Sequence, residues 1–95
     1  MKYDEKNFNY CLNHTTIENK LMCTAEECAE LTQCCTKMLR KRWDGREHMI
    51  EEMSDVMVNI YLLASHLNID MEEIREVGDV KLARFKSRLE AGENP

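Results

Sequence analysis

The stretch Val56–Ala64, with the sequence Val-Met-Val-Asn-Ile-Tyr-Leu-Leu-Ala, decides the fold of this chain. Asn59 is the one strongly polar residue of this stretch, and the stretch contains neither proline nor glycine. An α-helix that is apolar on nearly all sides is typical of a helix with neighbours on several sides. We therefore predict that this stretch forms the centre of a long helix, which runs from about Glu47 to Leu67.

Helical signals continue on both sides of this stretch, and no proline precedes Pro95, so nothing interrupts long helices. A first long helix is predicted to open with a capping box at Thr15–Glu18 and to end at about Lys41. A turn follows at Trp43–Arg46. A third long helix is predicted to be capped at Asp70–Glu73 and to end at about Glu90. Residues 1–14 are an ambiguous lead-in segment that could form a short helix. The predicted fold class is all-α, an antiparallel bundle of three long helices with or without a short N-terminal helix.

The size of the chain favours association with a second copy. Its 95 residues make one domain, residues 1–95, and a domain of this size buries only about 60–65% of its unfolded surface. A three-helix protomer cannot cover a central helix that is apolar on most sides, and exposed apolar faces of that extent usually mark interfaces. We predict that oligomerisation completes the bundle, as a homodimer or a dimer of dimers.

Composition excludes several classes of partner. The net charge of −5 argues against nucleic acid, which requires a basic face. No apolar run approaches the ~18–20 residues that span a bilayer, and Met1–Lys6 lacks the apolar segment of a signal peptide. We expect a cytoplasmic protein without a membrane partner. The five cysteines lack zinc-site spacing, so we expect reduced thiols that are mostly buried between helices.

Two pairs of carboxylates with the same spacing are the main candidates for a functional site. Glu27 and Glu30 lie three residues apart on the first long helix, as do Glu52 and Asp55 on the second, so each pair shares one helix face. A short connection makes the two helices antiparallel neighbours, which allows the pairs to face each other. None of the four acids has a basic residue four positions further on, where a solvated face would gain from an ion pair.

The neighbours of these acids indicate where the pairs point. On the second helix a narrow polar strip runs along an otherwise apolar surface, and such a strip faces either water or a site. Its members are His48, Glu52, Asp55, Asn59 and His66. On the first helix the apolar stripe, with Glu27 at its border, consists of Ile17, Leu21, Cys28, Leu31, Cys35 and Leu39.

Carboxylates held close together repel one another, so a cluster of four usually exists to hold a hard cation. All-oxygen sites suit Mg²⁺ or Mn²⁺. Di-iron bundles use Glu-x-x-His instead, and none of His14, His48 and His66 has a carboxylate three residues before it. We predict a Mg²⁺ site, with Mn²⁺ as the alternative ion and a solvated glutamate-rich face as the alternative without a metal. The predicted ligands are Glu27, Glu30, Glu52 and Asp55.

The order and spacing of these residues resemble a known family. Glu26–Glu30 (Glu-Glu-Cys-Ala-Glu) and Glu52–Asp55 (Glu-Met-Ser-Asp) match the Glu-Glu-x-x-Glu and Glu-x-x-Asp signatures of the MazG-like all-α nucleoside triphosphate pyrophosphohydrolases. The short single-domain members of phages and Gram-positive bacteria are the most similar. Lys81–Arg88 matches the Lys-x-x-Arg-x-x-x-Arg pattern that those members often carry near the end. The resemblance covers about residues 20–90.

The resemblance implies an activity and the residues that perform it. The activity is Mg²⁺-dependent cleavage of a (d)NTP to the (d)NMP and pyrophosphate, as in housecleaning of the nucleotide pool. The four acids would hold the metal and serve catalysis. Lys81 and Arg84 would bind phosphates, with Lys37 as a weaker candidate, and Asn59 would contact the sugar or a water on the metal. Ordinary solvated charges are the alternative for Lys81 and Arg84, and an amide bonded to a neighbouring helix is the alternative for Asn59.

Two other functions stay open at this point. One is a related pyrophosphohydrolase that acts on dUTP or phosphoribosyl-ATP. The other is a non-catalytic helical interaction module, against which the complete set of acids and the Lys-x-x-Arg pattern argue.

Overall fold

The computed structural model describes residues 2–43 and 45–94, and these form four α-helices and no strand. The helices are α1 (Glu5–Asn13), α2 (Ile17–Leu39), α3 (Arg46–His66) and α4 (Met71–Glu90). The all-α class is confirmed, and the three long helices lie where the sequence predicts them. The lead-in segment contains the short helix α1.

Polar side chains cap the first turns of α1, α2 and α4 by accepting hydrogen bonds from free backbone N–H groups, whereas α3 begins after Gly45 without a side-chain cap among the described residues. The N-cap of α2 is Thr16, whose hydroxyl accepts from the backbone N–H of Asn19 at 3.1 Å. Thr15, the predicted capping residue, instead donates its hydroxyl to the carbonyl oxygen of Cys11 at 2.7 Å. The cap therefore lies one residue later than the Thr15–Glu18 pattern indicates.

The other helix ends lie within a few residues of the predicted positions. The capping box between Asp70 and Glu73 is present and begins α4. The C-terminal end of α2 is at Leu39 rather than at the predicted Lys41. Lys41 has a left-handed φ of 59°, a conformation that cannot continue a right-handed helix.

α2 and α3 form an antiparallel pair, and α1 packs against α3. Near one end of the pair, the Nζ of Lys20 on α2 contacts the side chain of Asn59 on α3. Near the other end, the Sγ of Cys34 approaches the Sδ of Met49 at 3.8 Å. The small core lies between these helices, and the buried apolar residues of the described chain are Cys34, Val56, Leu62 and Ala64.

The apolar stripe of α2 is not the side that meets α3. Leu39 is 82% exposed, and Leu21 is also exposed. The α3-facing side carries Lys20, Glu27 and Cys34 instead. Each of these precedes a stripe residue by one position, which is a rotation of roughly 100° around the helix.

The expectation of mostly buried cysteines is wrong within one chain. Cys34 is buried and Cys23 half-buried, whereas Cys11, Cys28 and Cys35 are exposed. Cys28 and Cys35 belong to the outward-facing stripe of α2, which explains their exposure.

α4 has no buried residue and does not close a bundle with α2 and α3 inside one protomer. Its exposed apolar residues are Ile74, Val77, Val80, Leu82, Phe85 and Leu89. The radius of gyration is 16.1 Å, against about 12 Å for a compact chain of this length. Among the described residues no helix is both long enough and apolar enough to cross a membrane.

Candidate functional site

A polar seam runs between α2 and α3, and we use "the seam" for this line of facing side chains. The Thr15 hydroxyl lies 3.0 Å from Nε2 of His66, and the Lys20 ammonium donates to Oδ1 of Asn59 at 3.0 Å. The acids of the two helices come next, before the contact between Cys34 and Met49. The polar strip that the sequence predicts on α3 thus faces α2.

Three of the four predicted acids come together in the seam, and we call Glu27, Glu52 and Asp55 the acid cluster. Each offers one carboxylate oxygen, and these three oxygens lie within 4.8 Å of one another. Glu52 is only 8% exposed, Glu27 is half-buried, and Asp55 faces solvent. The spacing of three on α3 and the antiparallel pairing with α2 produce this arrangement.

Two oxygen atoms of the cluster are buried without a hydrogen-bond partner. They are the Oε2 atoms of Glu27 and Glu52. A buried carboxylate oxygen without a donor is costly, and each such atom in a native structure calls for an explanation. A cation bound by the cluster would provide the missing partner for both atoms.

The charges of the cluster act on one another. Burial is the largest cause that raises the pKa of Glu27 above its ordinary value, and the negative charges of Glu30, Asp55, Glu52 and Glu26 raise it further. Both causes disfavour the ionised form. The site therefore holds more negative charge than its own surroundings stabilise.

Glu30, the fourth predicted acid, is exposed and lies outside the group of three. Its charge still contributes to the raised pKa of Glu27. His48 precedes Glu52 by one turn of α3, with its Nε2 3.6 Å from Oε1 of Glu52. This distance exceeds that of a good hydrogen bond, so His48 is a loose neighbour of the carboxylate.

The structure does not bring the predicted phosphate ligands to the cluster within one protomer. Lys81 and Arg84 are exposed on α4, which lies away from the seam. Lys37 is exposed in the last turn of α2. Asn59 does lie in the seam, where its Oδ1 accepts from Lys20 and its Nδ2 donates to the backbone oxygen of Asp55 at 2.8 Å.

Lys20 is the seam residue that the sequence interpretation missed. It is a lysine with only 9% exposure, next to the predicted site residue Asn59. One signal was available, because Lys20 precedes Glu27 by seven residues and therefore shares its helix face.

The donor set of the cluster fits a hard divalent cation. All three residues offer carboxylate oxygens, which suit Mg²⁺ or Mn²⁺ rather than the softer metals that cysteine and histidine bind. The two buried oxygens without partners are further support for a metal site.

Comparison with known proteins identifies a family to which the chain is similar. A profile of the MazG-like family matches residues 15–92, which include α2, α3 and α4 and every residue of the seam. No significant match to a curated protein or to a solved structure was found.

Proposed function

The chain belongs to the MazG-like family, and from this premise we propose that it is a Mg²⁺-dependent nucleotide pyrophosphohydrolase that cleaves a (d)NTP to the (d)NMP and pyrophosphate. The observation that carries this proposal is the acid cluster with its two buried, unpartnered oxygens. Family membership alone suggests only the general class of activity.

Glu27, Glu52 and Asp55 would hold the cation, with Glu30 at the edge of the site. The chemistry that a bound Mg²⁺ supplies is the activation of water near neutral pH and the neutralisation of phosphate charge. The chain itself would contribute the packed pair α2 and α3, which brings the carboxylates together before substrate arrives. Such preorganisation avoids the cost of reorienting charged groups during the reaction.

We infer that the protein works as a homodimer or a dimer of dimers. Support comes from the exposed apolar residues of α4 and from the outward stripe of α2. Burial of these faces would stabilise the protomer at about 25 cal/mol for each Å² removed from water. Light scattering at micromolar concentration tests this inference, and a monomer mass would contradict it.

Lys81 and Arg84 would then bind the β- and γ-phosphates of a substrate at the seam of another copy. A chain with Asp55→Asn should be inactive as a pure sample, and a chain with Arg84→Ala should be strongly impaired. Because each mixed dimer would contain one intact site, random mixing of the two should restore roughly a quarter of the wild-type activity. A mixture no more active than its components would place both functions in the same chain, and an Arg84→Ala sample of unimpaired activity would exclude Arg84 from the site.

The activity is tested by a screen of all common (d)NTPs, with and without Mg²⁺, that detects pyrophosphate separately from phosphate. The panel includes dUTP and phosphoribosyl-ATP, which separates the related pyrophosphohydrolases. Hydrolysis in ¹⁸O-labelled water should place the label in the monophosphate, because we propose attack at the α-phosphorus. Label in the pyrophosphate, or phosphate as the first product, would contradict that step, and no turnover with any nucleotide would favour the non-catalytic module.

A further inference from the structure

We propose that Lys20 binds a phosphate group of the substrate, so that the seam itself contains a cationic subsite beside the acid cluster. This inference rests on the proposed function and adds a binding residue to it. The ligand class is a pyrophosphate or a polyphosphate chain.

The first support is the burial of a charge without an ionic partner. Lys20 is 9% exposed, and its ammonium donates to Oδ1 of Asn59 at 3.0 Å. An ammonium group has three N–H donors, and a neutral amide occupies one of them. In residues 2–43 and 45–94, no carboxylate lies within ion-pair distance of Lys20.

The second support is energetic. Lysine is almost never fully buried unless it is paired, because removing a charge from water has a large free-energy cost that an amide offsets only in part. The folded chain has already desolvated this ammonium. An arriving phosphate therefore meets a cation that needs no further loss of water, and such charge-assisted hydrogen bonds are among the strongest in proteins.

The third support is the position of Lys20 along the seam. Asn59 follows Asp55 by four residues, about 6 Å along α3, so the ammonium lies roughly one helical turn beyond the acid cluster. The Nδ2 of Asn59 is held by the backbone oxygen of Asp55 at 2.8 Å, which turns its Oδ1 toward Lys20. A phosphate chain with one end at the cluster would extend along the seam to the ammonium.

The competing role for Lys20 is purely structural, as a donor that fixes Asn59. Lys20→Gln separates the two roles, because a glutamine amide can still donate to Asn59 but carries no charge. Lys20→Met removes both the donor and the charge while keeping the volume. Lys86→Gln is the matched control, since Lys86 is an exposed lysine of α4.

The experiment titrates inorganic pyrophosphate into the 95-residue protein with Mg²⁺ by calorimetry, and measures Mn²⁺ affinity separately. We expect Lys20→Gln and Lys20→Met to bind pyrophosphate about ten- to a hundredfold more weakly than wild type. Their Mn²⁺ affinity should change less than about threefold, and Lys86→Gln should behave as wild type. Under turnover, the Lys20 variants should raise KM more than they lower kcat.

Two results of the titration would overturn the assignment. One is unchanged pyrophosphate affinity in Lys20→Gln, whether or not Lys20→Met loses affinity, and the other is no binding of pyrophosphate by the wild type. The nucleotide screen decides the proposed function independently. A wild type that hydrolyses nucleotides, together with a Lys20→Gln variant of unchanged KM, would refute the subsite and leave the activity intact.

Discussion

Neutralising the buried acid of the cluster should invert the order of stability between wild type and variant when Mg²⁺ is added. Glu52 is 8% exposed, its Oε2 has no partner, and its charge lies close to those of Glu27 and Asp55. Without metal, Glu52→Gln removes a repelled charge, so the variant should be more stable than wild type. With metal, the wild type alone keeps all three ligands and should be the more stable protein.

The magnitudes follow from the geometry. Repulsion within the pair Glu52 and Asp55, three residues apart on α3, accounts for about 0.2–0.5 kcal/mol. For a domain of this size, that corresponds to a rise in Tm of about 1–4 °C without metal. Mg²⁺ at about a hundred times its Kd should stabilise the wild type by about 2.7 kcal/mol, or roughly 10–20 °C, and the variant by much less.

Thermal unfolding with EDTA and with excess Mg²⁺ measures both shifts, and turnover is measured on the same samples. Glu51→Gln is the matched control, because it removes the same charge from an exposed neighbour on α3 and should show the wild-type response. A lower Tm of Glu52→Gln in EDTA would refute the repulsion argument. Retention of more than a tenth of the wild-type kcat, a loss below about 1.4 kcal/mol in the barrier, would show that Glu52 is not a metal ligand.

Three further predictions concern other parts of the molecule. Glu27→Gln should change the pH dependence of unfolding by urea in EDTA, because a raised pKa makes Glu27 cost stability as pH rises from the ordinary glutamate value through the raised one. The variant should therefore match wild type below about pH 4, exceed its stability increasingly within that window, and exceed it by a constant amount above the window. Gly78→Ala should stabilise the protein by about 0.5–1 kcal/mol in the same assay, because Gly78 lies inside α4 with open space where the new methyl group would lie. Arg84→Ala should reduce kcat/KM for triphosphates more than for diphosphates, since only triphosphates fill the γ position; equal losses would remove Arg84 from that role.

The sequence predicted the helices and the close approach of three of its four candidate acids, because both depend mostly on local spacing. Helix caps, the absence of an internal proline and the apolar stretch of α3 act over a few residues. The pairing of Glu27 with Glu52 and Asp55 needs only two antiparallel helices joined by a short connection. These signals are present in the sequence.

The partner of each helix face could not be predicted in the same way. α2 carries two stripes with a spacing of seven, an apolar one with Leu21 and Cys28 and a mixed one with Lys20 and Glu27. Hydrophobicity favours the apolar stripe as the inner side, yet the mixed stripe faces α3. Periodicity shows that a face is suited to burial but not which helix covers it, so Lys20 was missed for the same reason.

The two stripes of α2 link the site to assembly. Charge occupies the seam, and the buried apolar residues of the described chain are few and mostly small, so the protomer alone has little hydrophobic burial to oppose the conformational entropy lost on folding. The stripe of Leu21 and Cys28, and the apolar residues of α4, are what a second copy could bury. If they are buried in this way, stability becomes dependent on protein concentration. Dilution of the protein should then lower both its Mg²⁺ affinity and its free energy of unfolding. In a stable monomer, neither quantity would depend on protein concentration.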